Sequence, residues 1–203
     1  MRIAVVGATG QVGLPLIQEL SARGHHVTAL SIHPEMVPDL PGVTAVRADA
    51  NKAAELAPLL EGHDIIVTSI QFKKTDPDTL IEAVKASSPG RYFCVGGSGT
   101  LLVPGTQTRI MDMPEFPPAF APSAAAAARF LERLENETKL DWTFVSPPPG
   151  IGPGPRTGQY RIGKDELLVR KDGPPAISFE DYALAIADEL DNRQQKGRFT
   201  VGY

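Results

Sequence analysis

Short apolar runs alternate with stretches of helical periodicity over the first 95 residues. Runs rich in β-branched and other apolar residues predict five strands, at 3–6, 26–30, 43–47, 64–69 and 92–95. Between them, apolar residues recur at helical spacing over 14–20 and 53–60, and again after Asp76-Pro77, where the proline suits a first helical turn. This alternation predicts a parallel sheet with helices on both faces.

The second half of the chain is less regular. Residues 96–122 are rich in glycine and proline without a clear period, and long connections of this kind often carry function. A helix is predicted over 123–139, a sixth strand at 142–145, a final helix over 179–190 and a final strand at 198–201. Two further short strands are predicted near Tyr160 and Leu167. No linker interrupts the pattern, so one domain is expected over 1–203.

Composition narrows the function classes. With 203 residues and 42% hydrophobic residues, the chain can build one sizeable core. The net charge of −4 argues against nucleic acid as a partner, because phosphate binding needs a clustered basic face. No apolar run is long enough to span a bilayer, and the N-terminus does not read as a signal peptide, so neither a membrane nor secretion is expected. Cys94 is the single cysteine and cannot form an internal disulfide, so the cytoplasm is the expected location. No group of His, Asp or Glu residues has metal-ligand spacing, so no metal site is predicted.

A glycine motif joins the first strand to the first helix. It reads Gly7-Ala8-Thr9-Gly10-Gln11-Val12-Gly13. Its first glycine allows a tight turn, its second lets backbone approach a pyrophosphate, and its third lets the helix pack close to the sheet. The amino end of the helix offers free N–H groups to phosphates. The motif therefore predicts a dinucleotide site, with an unliganded turn as the alternative.

The end of the second strand bears on the choice of cofactor. It reads Ser31-Ile32-His33, with no acidic residue until Glu35 and no arginine. An acid at this place favours the free ribose of NAD, and its absence removes repulsion against the 2′-phosphate of NADP. Ser31 and His33 could donate hydrogen bonds to that phosphate. NADP is therefore the expected cofactor and NAD the alternative, while His33 also fits a solvated loop histidine.

The motif and several later segments carry a resemblance to a known group. The Gly-Ala-Thr-Gly opening resembles the atypical short-chain dehydrogenases, which have a Rossmann-type doubly wound α/β fold with a mostly parallel sheet. More narrowly, the chain resembles NAD(P)H-binding proteins of the NADH-flavin reductase and biliverdin-IXβ reductase type. The segments that carry this resemblance beyond the glycine motif are 92–99, 141–147, 156–161 and 177–183.

The resemblance implies where a cofactor lies. It places Asp49 and Ala50 near the adenine, and Ser69, Ile70 and Gln71 near the ribose and pyrophosphate. It places Gly97, Ser98 and Pro147 beside the nicotinamide, with Ser98 as the catalytic candidate and residues 147–203 completing the substrate side. Asp49 also fits a helix-capping carboxylate, and Ser98 fits an ordinary turn serine.

One element of ordinary short-chain dehydrogenases is missing. Their helix after the fifth strand carries a Tyr-x-x-x-Lys pair that donates a proton to the substrate. Here that helix has neither residue before Lys139, and the formal match at Tyr160 and Lys164 lies outside any helical pattern. An alcohol–ketone dehydrogenase is therefore not expected, and neither is a sugar-nucleotide epimerase.

Reduction of a flat acceptor does not need such a pair. A flavin or quinone that accepts hydride can take its proton from water. We expect hydride transfer from NAD(P)H to a planar small molecule, with Phe72 and either Met111 or Met113 as a candidate apolar wall. A non-catalytic NAD(P)-binding redox sensor is the alternative, since it would lack the same pair. A homodimer is compatible with the fold, although no interface is apparent.

Overall fold

The computed structural model describes residues 1–203, built around a central eight-stranded sheet. A second, small sheet has two strands. In chain order, the ten strands of the two sheets are β1 (Arg2–Val6), β2 (His26–Ser31), β3 (Val43–Arg47), β4 (Ile65–Thr68), β5 (Arg91–Val95), β6 (Trp142–Ser146), β7 (Gly150–Gly152), β8 (Arg161–Gly163), β9 (Ala176–Ser178) and β10 (Gly197–Gly202). The order in the large sheet is β3-β2-β1-β4-β5-β6-β10-β8, and β7 pairs with β9. All pairings are parallel except that of β8 with β10. The mostly parallel sheet confirms what the alternating pattern predicts, and the strand order is the doubly wound, Rossmann-type one that the resemblance implies.

Five helices cover the two faces of the sheet. They are α1 (Gly13–Ala22), α2 (Ala53–Leu60), α3 (Pro77–Ala86), α4 (Ala121–Glu135) and α5 (Phe179–Asn192). One core lies under α1 and α5, and the other lies under α2, α3 and α4. Strand β1 serves both cores, because Ile3 and Val5 point into the first while Ala4 and Val6 point into the second. Its continuous apolar run is therefore explained by burial on both faces.

Local chemistry sets several helix boundaries. The Asp76 carboxylate accepts a hydrogen bond from the Thr79 amide at 2.8 Å and caps α3, whose first residue is the expected Pro77. Helix α4 starts earlier and ends earlier than predicted. Its end is followed by a turn in which the Glu137 carboxylate accepts from the Lys139 amide at 2.8 Å.

The two short strands predicted in the C-terminal third have different outcomes. The strand near Tyr160 is confirmed as β8. The strand near Leu167 is wrong, since the only strand-like pairing there is an isolated bridge between Glu166 and Leu102. Strands β7 and β9 were not expected, because β7 lies in a glycine- and proline-rich segment and β9 directly follows Pro174-Pro175.

Cys94 is fully buried in β5, and burial raises the pKa of its thiol to about 12, as suits a core residue. None of the helices combines the length and the apolar character that crossing a membrane requires.

Candidate functional site

The glycine turn between β1 and α1 is built on close backbone contacts. Gly7 has φ of +85°, and a Cβ at this position would lie 2.0 Å from the carbonyl oxygen of Ser69. A Cβ on Gly13 would lie 2.2 Å from the carbonyl oxygen of Gly7. Gly10 is different, because it is exposed and its Cβ would lie 3.2 Å from the same oxygen. Gly7 and Gly13 therefore shape the turn, and Gly10 keeps its outer side open.

The amino end of α1 is free to meet an anion. No side chain caps this helix, and the backbone N–H groups of Gln11, Val12 and Gly13 donate to no acceptor in the chain. Such groups, together with the positive end of the helix dipole, suit a phosphate. The hydroxyls of Thr9 and Ser31 lie 2.6 Å apart and tie the turn to the end of β2. Ala8, fully buried, anchors the turn in the core. The turn fits the pyrophosphate of a dinucleotide.

The residues at the end of β2 take separate roles. Ser31 is buried. Its hydroxyl is hydrogen-bonded to the Thr9 hydroxyl and accepts from the His33 amide at 3.0 Å, so its hydrogen-bond partners lie within the chain. Ile32 is 54% exposed and offers an apolar surface next to the turn. The His33 side chain is exposed and lies 3.2 Å from the Glu35 carboxylate.

A cation missed in the sequence lies at the same place. Arg47 ends β3 and pairs in register with Ser31, so its guanidinium reaches the end of β2 and donates to the Ile32 carbonyl at 2.6 Å. Its other terminal nitrogen lies 3.6 Å from Glu35. The backbone amide of Glu35 itself, then His33 and Arg47, hold the pKa of the Glu35 carboxyl below its usual range. The absence of arginine within the second-strand segment was therefore no guide to the charge found there.

The ends of β3 and β4 complete this edge of the sheet. The Asp49 carboxylate accepts from the Asn51 amide at 2.9 Å, which is the role of a turn cap, and Ala50 beside it is half-buried. The Ser69 amide donates to the Val6 carbonyl at 2.8 Å and places Ser69 directly under the glycine turn. The carboxyl ends of β1 to β4 thus lie side by side along one edge of the sheet, as expected for a doubly wound sheet.

A cavity of about 690 Å³ opens beside this edge, directly after β4; we call it the acceptor cavity, after the acceptor that the sequence predicts there. Four residues predicted from the sequence line it, namely Ile70, Gln71, Gly97 and Ser98. Phe72 and Met113 line it as well, whereas Met111 lies beside Gly99 outside the lining. Pro147 is buried after β6, and from segment 147–203 the lining residue is Pro149. The sequence prediction for the nicotinamide side therefore falls partly on cavity-lining residues.

The outer wall of the acceptor cavity comes from the long connection and the first turns of α4. A Cβ on Gly99 would lie 2.8 Å from the Ala124 Cβ, so small residues on both sides let the helix lie close to the turn after β5. The wall further includes Phe116, Pro117 and Phe120, and prolines recur along it at 114, 117, 118 and 122. The sequence predicts only that this connection carries function. It does not predict a cavity wall, because its apolar residues follow no helical or strand periodicity.

The formal Tyr-Lys match is no catalytic pair in the structure. The Tyr160 hydroxyl donates to the Asp188 carboxylate, and burial together with this contact raises the pKa of Tyr160. The Lys164 ammonium donates to the Lys196 carbonyl at 2.9 Å. Neither residue lines the acceptor cavity, and α4 contains no tyrosine or lysine.

Comparison with known families agrees with this geometry. A family model described as NAD(P)H-binding matches residues 7–193, a span that begins at the first glycine of the turn. The chain belongs to the NAD(P)H-binding family. The similarity to an uncharacterised Bacillus subtilis protein, YwnB, is 34% identity over 99% of this chain and 98% of that protein. A 3-diazoavenalumate denitrifying reductase from Streptomyces is 28% identical over 83% of this chain and 62% of that enzyme.

Solved structures of this family share the whole fold. A protein from Bacteroides thetaiotaomicron described as a candidate epimerase superposes with a TM-score of 0.93 at 36% identity, over 100% of this chain and 96% of that one. A candidate NADH-flavin reductase from Streptococcus pneumoniae superposes with a TM-score of 0.86 at 29% identity, over 100% of this chain and 99% of that one. This NAD(P)H-binding protein is thus similar to Rossmann-type oxidoreductases of the atypical short-chain dehydrogenase kind.

Proposed function

We propose that this protein transfers hydride from NADPH to a flat acceptor, such as a flavin or quinone, bound in the acceptor cavity. The observation that carries the proposal is the position of this largely apolar cavity, which begins at Ile70 and Gln71, directly after the Ser69 that lies under the glycine turn. Its volume is in the usual range for small-molecule sites. The reductase names of the Streptomyces and pneumococcal relatives support the same reaction class.

In this reaction the main task of the protein is to position the dinucleotide and the acceptor. When bound, the dinucleotide supplies a hydride, one proton with two electrons, which reduces the acceptor while water supplies the second proton. The glycine turn holds the phosphates, and the acceptor cavity holds the acceptor ring against the carboxyl edge of the sheet. Ser98, half-buried in the turn after β5, would donate a hydrogen bond to a carbonyl or ring nitrogen of the acceptor.

Steady-state oxidation of NADPH and NADH in the presence of FMN, riboflavin and a quinone tests the proposal. We expect turnover with at least one of these acceptors. If NADPH binds but none of them is reduced, hydride transfer to a planar acceptor is excluded. Unequal affinity for oxidised and reduced dinucleotide would then favour the redox-sensor alternative.

Replacing Ser98 by alanine tests its role in the cavity. A lost hydrogen bond to the acceptor is worth about 1.5 kcal/mol, so we expect kcat/KM for the acceptor to fall about tenfold. The affinity for NADPH should not change. Ser123, the other cavity hydroxyl, is exposed on the first turn of α4, and Ser123→Ala is the matched control with less than about a twofold effect. Equal effects of the two substitutions would remove Ser98 from its proposed role.

Replacing Arg47 by glutamine tests the preference for NADP. The Arg47 guanidinium reaches the end of β2, where a 2′-phosphate would lie, so Arg47→Gln should weaken NADPH binding about tenfold and change NADH binding little. Glu35→Gln should act in the opposite direction, because the Glu35 carboxylate lies against both Arg47 and His33. Calorimetric titration with both dinucleotides measures the ratio. A parallel loss for NADPH and NADH would contradict the assignment.

A further inference from the structure

The charges on the acceptor cavity are few. Among its lining residues, Lys73 is the single cation and Glu115 is the single anion. Lys73 lies in the turn that follows β4, and its exposed ammonium forms no ion pair or hydrogen bond with the chain. Glu115 belongs to the connection that forms the outer wall and is exposed as well. An unpaired cation at the edge of an apolar cavity can attract an anion with little competition from the chain.

The apolar lining favours aromatic rings. Three phenylalanines border the acceptor cavity, namely Phe72, Phe116 and Phe120. The Phe72 ring is held in place by Phe130, edge-on at 5.2 Å between centroids, and by Phe144 at 6.1 Å. Phe120 is 63% exposed, so its ring is accessible to a flat molecule bound in the cavity. Because Lys73 follows Phe72 directly, the cation and an aromatic wall come from the same turn.

We propose that the acceptor is a flat aromatic molecule with an anionic substituent, whose ring lies against the phenylalanine wall and whose anion pairs with Lys73. This inference rests on the proposed function only for the placement of the acceptor in this cavity. Glu115 adds selectivity, because it repels a second anionic group on the connection side. The pairing acts at an exposed edge, so it contributes modestly to affinity and depends on salt.

Equilibrium binding of matched acceptors tests the inference. FMN and riboflavin share one ring system and differ by a phosphate, while anthraquinone-2-sulfonate and 2-(hydroxymethyl)anthraquinone differ by an anionic group. Titrations with NADP⁺ present avoid turnover, since no hydride donor is available. We expect the anionic member of at least one pair to bind about fivefold tighter to the wild-type protein, and 0.5 M salt to remove most of this preference.

Substitutions then assign the preference to a residue. Lys73→Gln should abolish it, whereas Lys74→Gln should retain it, because Lys74 is also an exposed lysine of the same turn but does not line the cavity. Glu115→Gln should retain or increase it. No preference in either pair, no binding of any of the four molecules, or a preference that survives Lys73→Gln would overturn the inference.

The outcomes also separate this inference from the proposed function. Reduction of neutral and anionic acceptors at equal rates, with equal affinities, would leave hydride transfer standing and remove the role of Lys73. Binding that depends on Lys73 without any oxidation of NADPH would retain the anion site and remove the proposed hydride transfer.

Discussion

We expect Gly10→Val to weaken the binding of both NADPH and NADH about a hundredfold, or by about 2.8 kcal/mol, while the protein stays folded. Gly10 is the glycine of the turn at which this separation can be made. Side chains on Gly7 or Gly13 would lie within 2.0 and 2.2 Å of backbone oxygens and would disrupt the fold itself. On Gly10, which is exposed, a Cβ would lie 3.2 Å from the Gly7 oxygen and 3.9 Å from the Ser69 oxygen, and the larger valine side chain would extend into the space where the pyrophosphate would lie.

Thermal-shift titration with both dinucleotides measures this effect, since a ligand that binds the folded state raises its stability in proportion to ln(1 + [L]/Kd). Urea unfolding without ligand confirms that the variant is folded. Gly152→Val is the matched control, because a Cβ there meets no atom within 4 Å and the residue lies in β7, outside the turn. Wild-type affinity in Gly10→Val would refute the pyrophosphate assignment.

We expect Glu189→Ala to lower the free energy of unfolding by about 3–5 kcal/mol. Glu189 and Arg91 form a buried ion pair at 2.7 Å, with side chains 3% and 2% exposed. Arg91 also donates to the Thr143 hydroxyl at 2.7 Å, and the Glu189 carboxylate also accepts from the Gln195 amide at 2.9 Å. Removing the carboxylate leaves a buried guanidinium without its counter-charge, which costs far more than an exposed contact.

Urea denaturation of the wild-type and variant proteins gives the difference. Glu55→Ala removes an exposed pair with Lys52 and should cost less than about 1 kcal/mol. Arg91 is the first residue of β5, so the buried pair lies at the amino edge of the sheet, opposite the glycine turn. The dinucleotide affinity of folded Glu189→Ala should therefore equal that of the wild-type protein. A cost as small as that of Glu55→Ala would show that water reaches the pair.

The parts of the fold that repeat along the chain were predictable. Strand β1 needs apolar residues at every position because its two faces serve two cores, and this requirement leaves an uninterrupted run. The glycine turn was predictable as well. A Cβ on Gly7 or Gly13 would lie 2.0 or 2.2 Å from a backbone oxygen, so only glycine fits at either position. In both cases the structural requirement acts on neighbouring residues, so it leaves a recognisable pattern in one short segment of the sequence.

The parts of the site that depend on pairing between distant segments were not predictable in the same way. Arg47 reaches the end of β2 only because β2 and β3 pair in register, with Ser31 opposite Arg47. Lys73 and Phe120 meet at one cavity through the folding of a connection that has no period. A cationic residue at the end of a strand that neighbours β2 is the signal that could have located Arg47.

The prolines of the outer cavity wall each fix one backbone dihedral angle, at 114, 117, 118 and 122. A segment constrained in this way has few conformations to lose, so most of its ordering entropy is lost during folding and not when an acceptor arrives. Entry of the proposed acceptor would then require no loop to close, and we expect its rate to be set by encounter with an already shaped opening. We expect the same rigidity to exclude molecules larger than that opening, so that one stiff segment would set both the rate of entry and the range of acceptors.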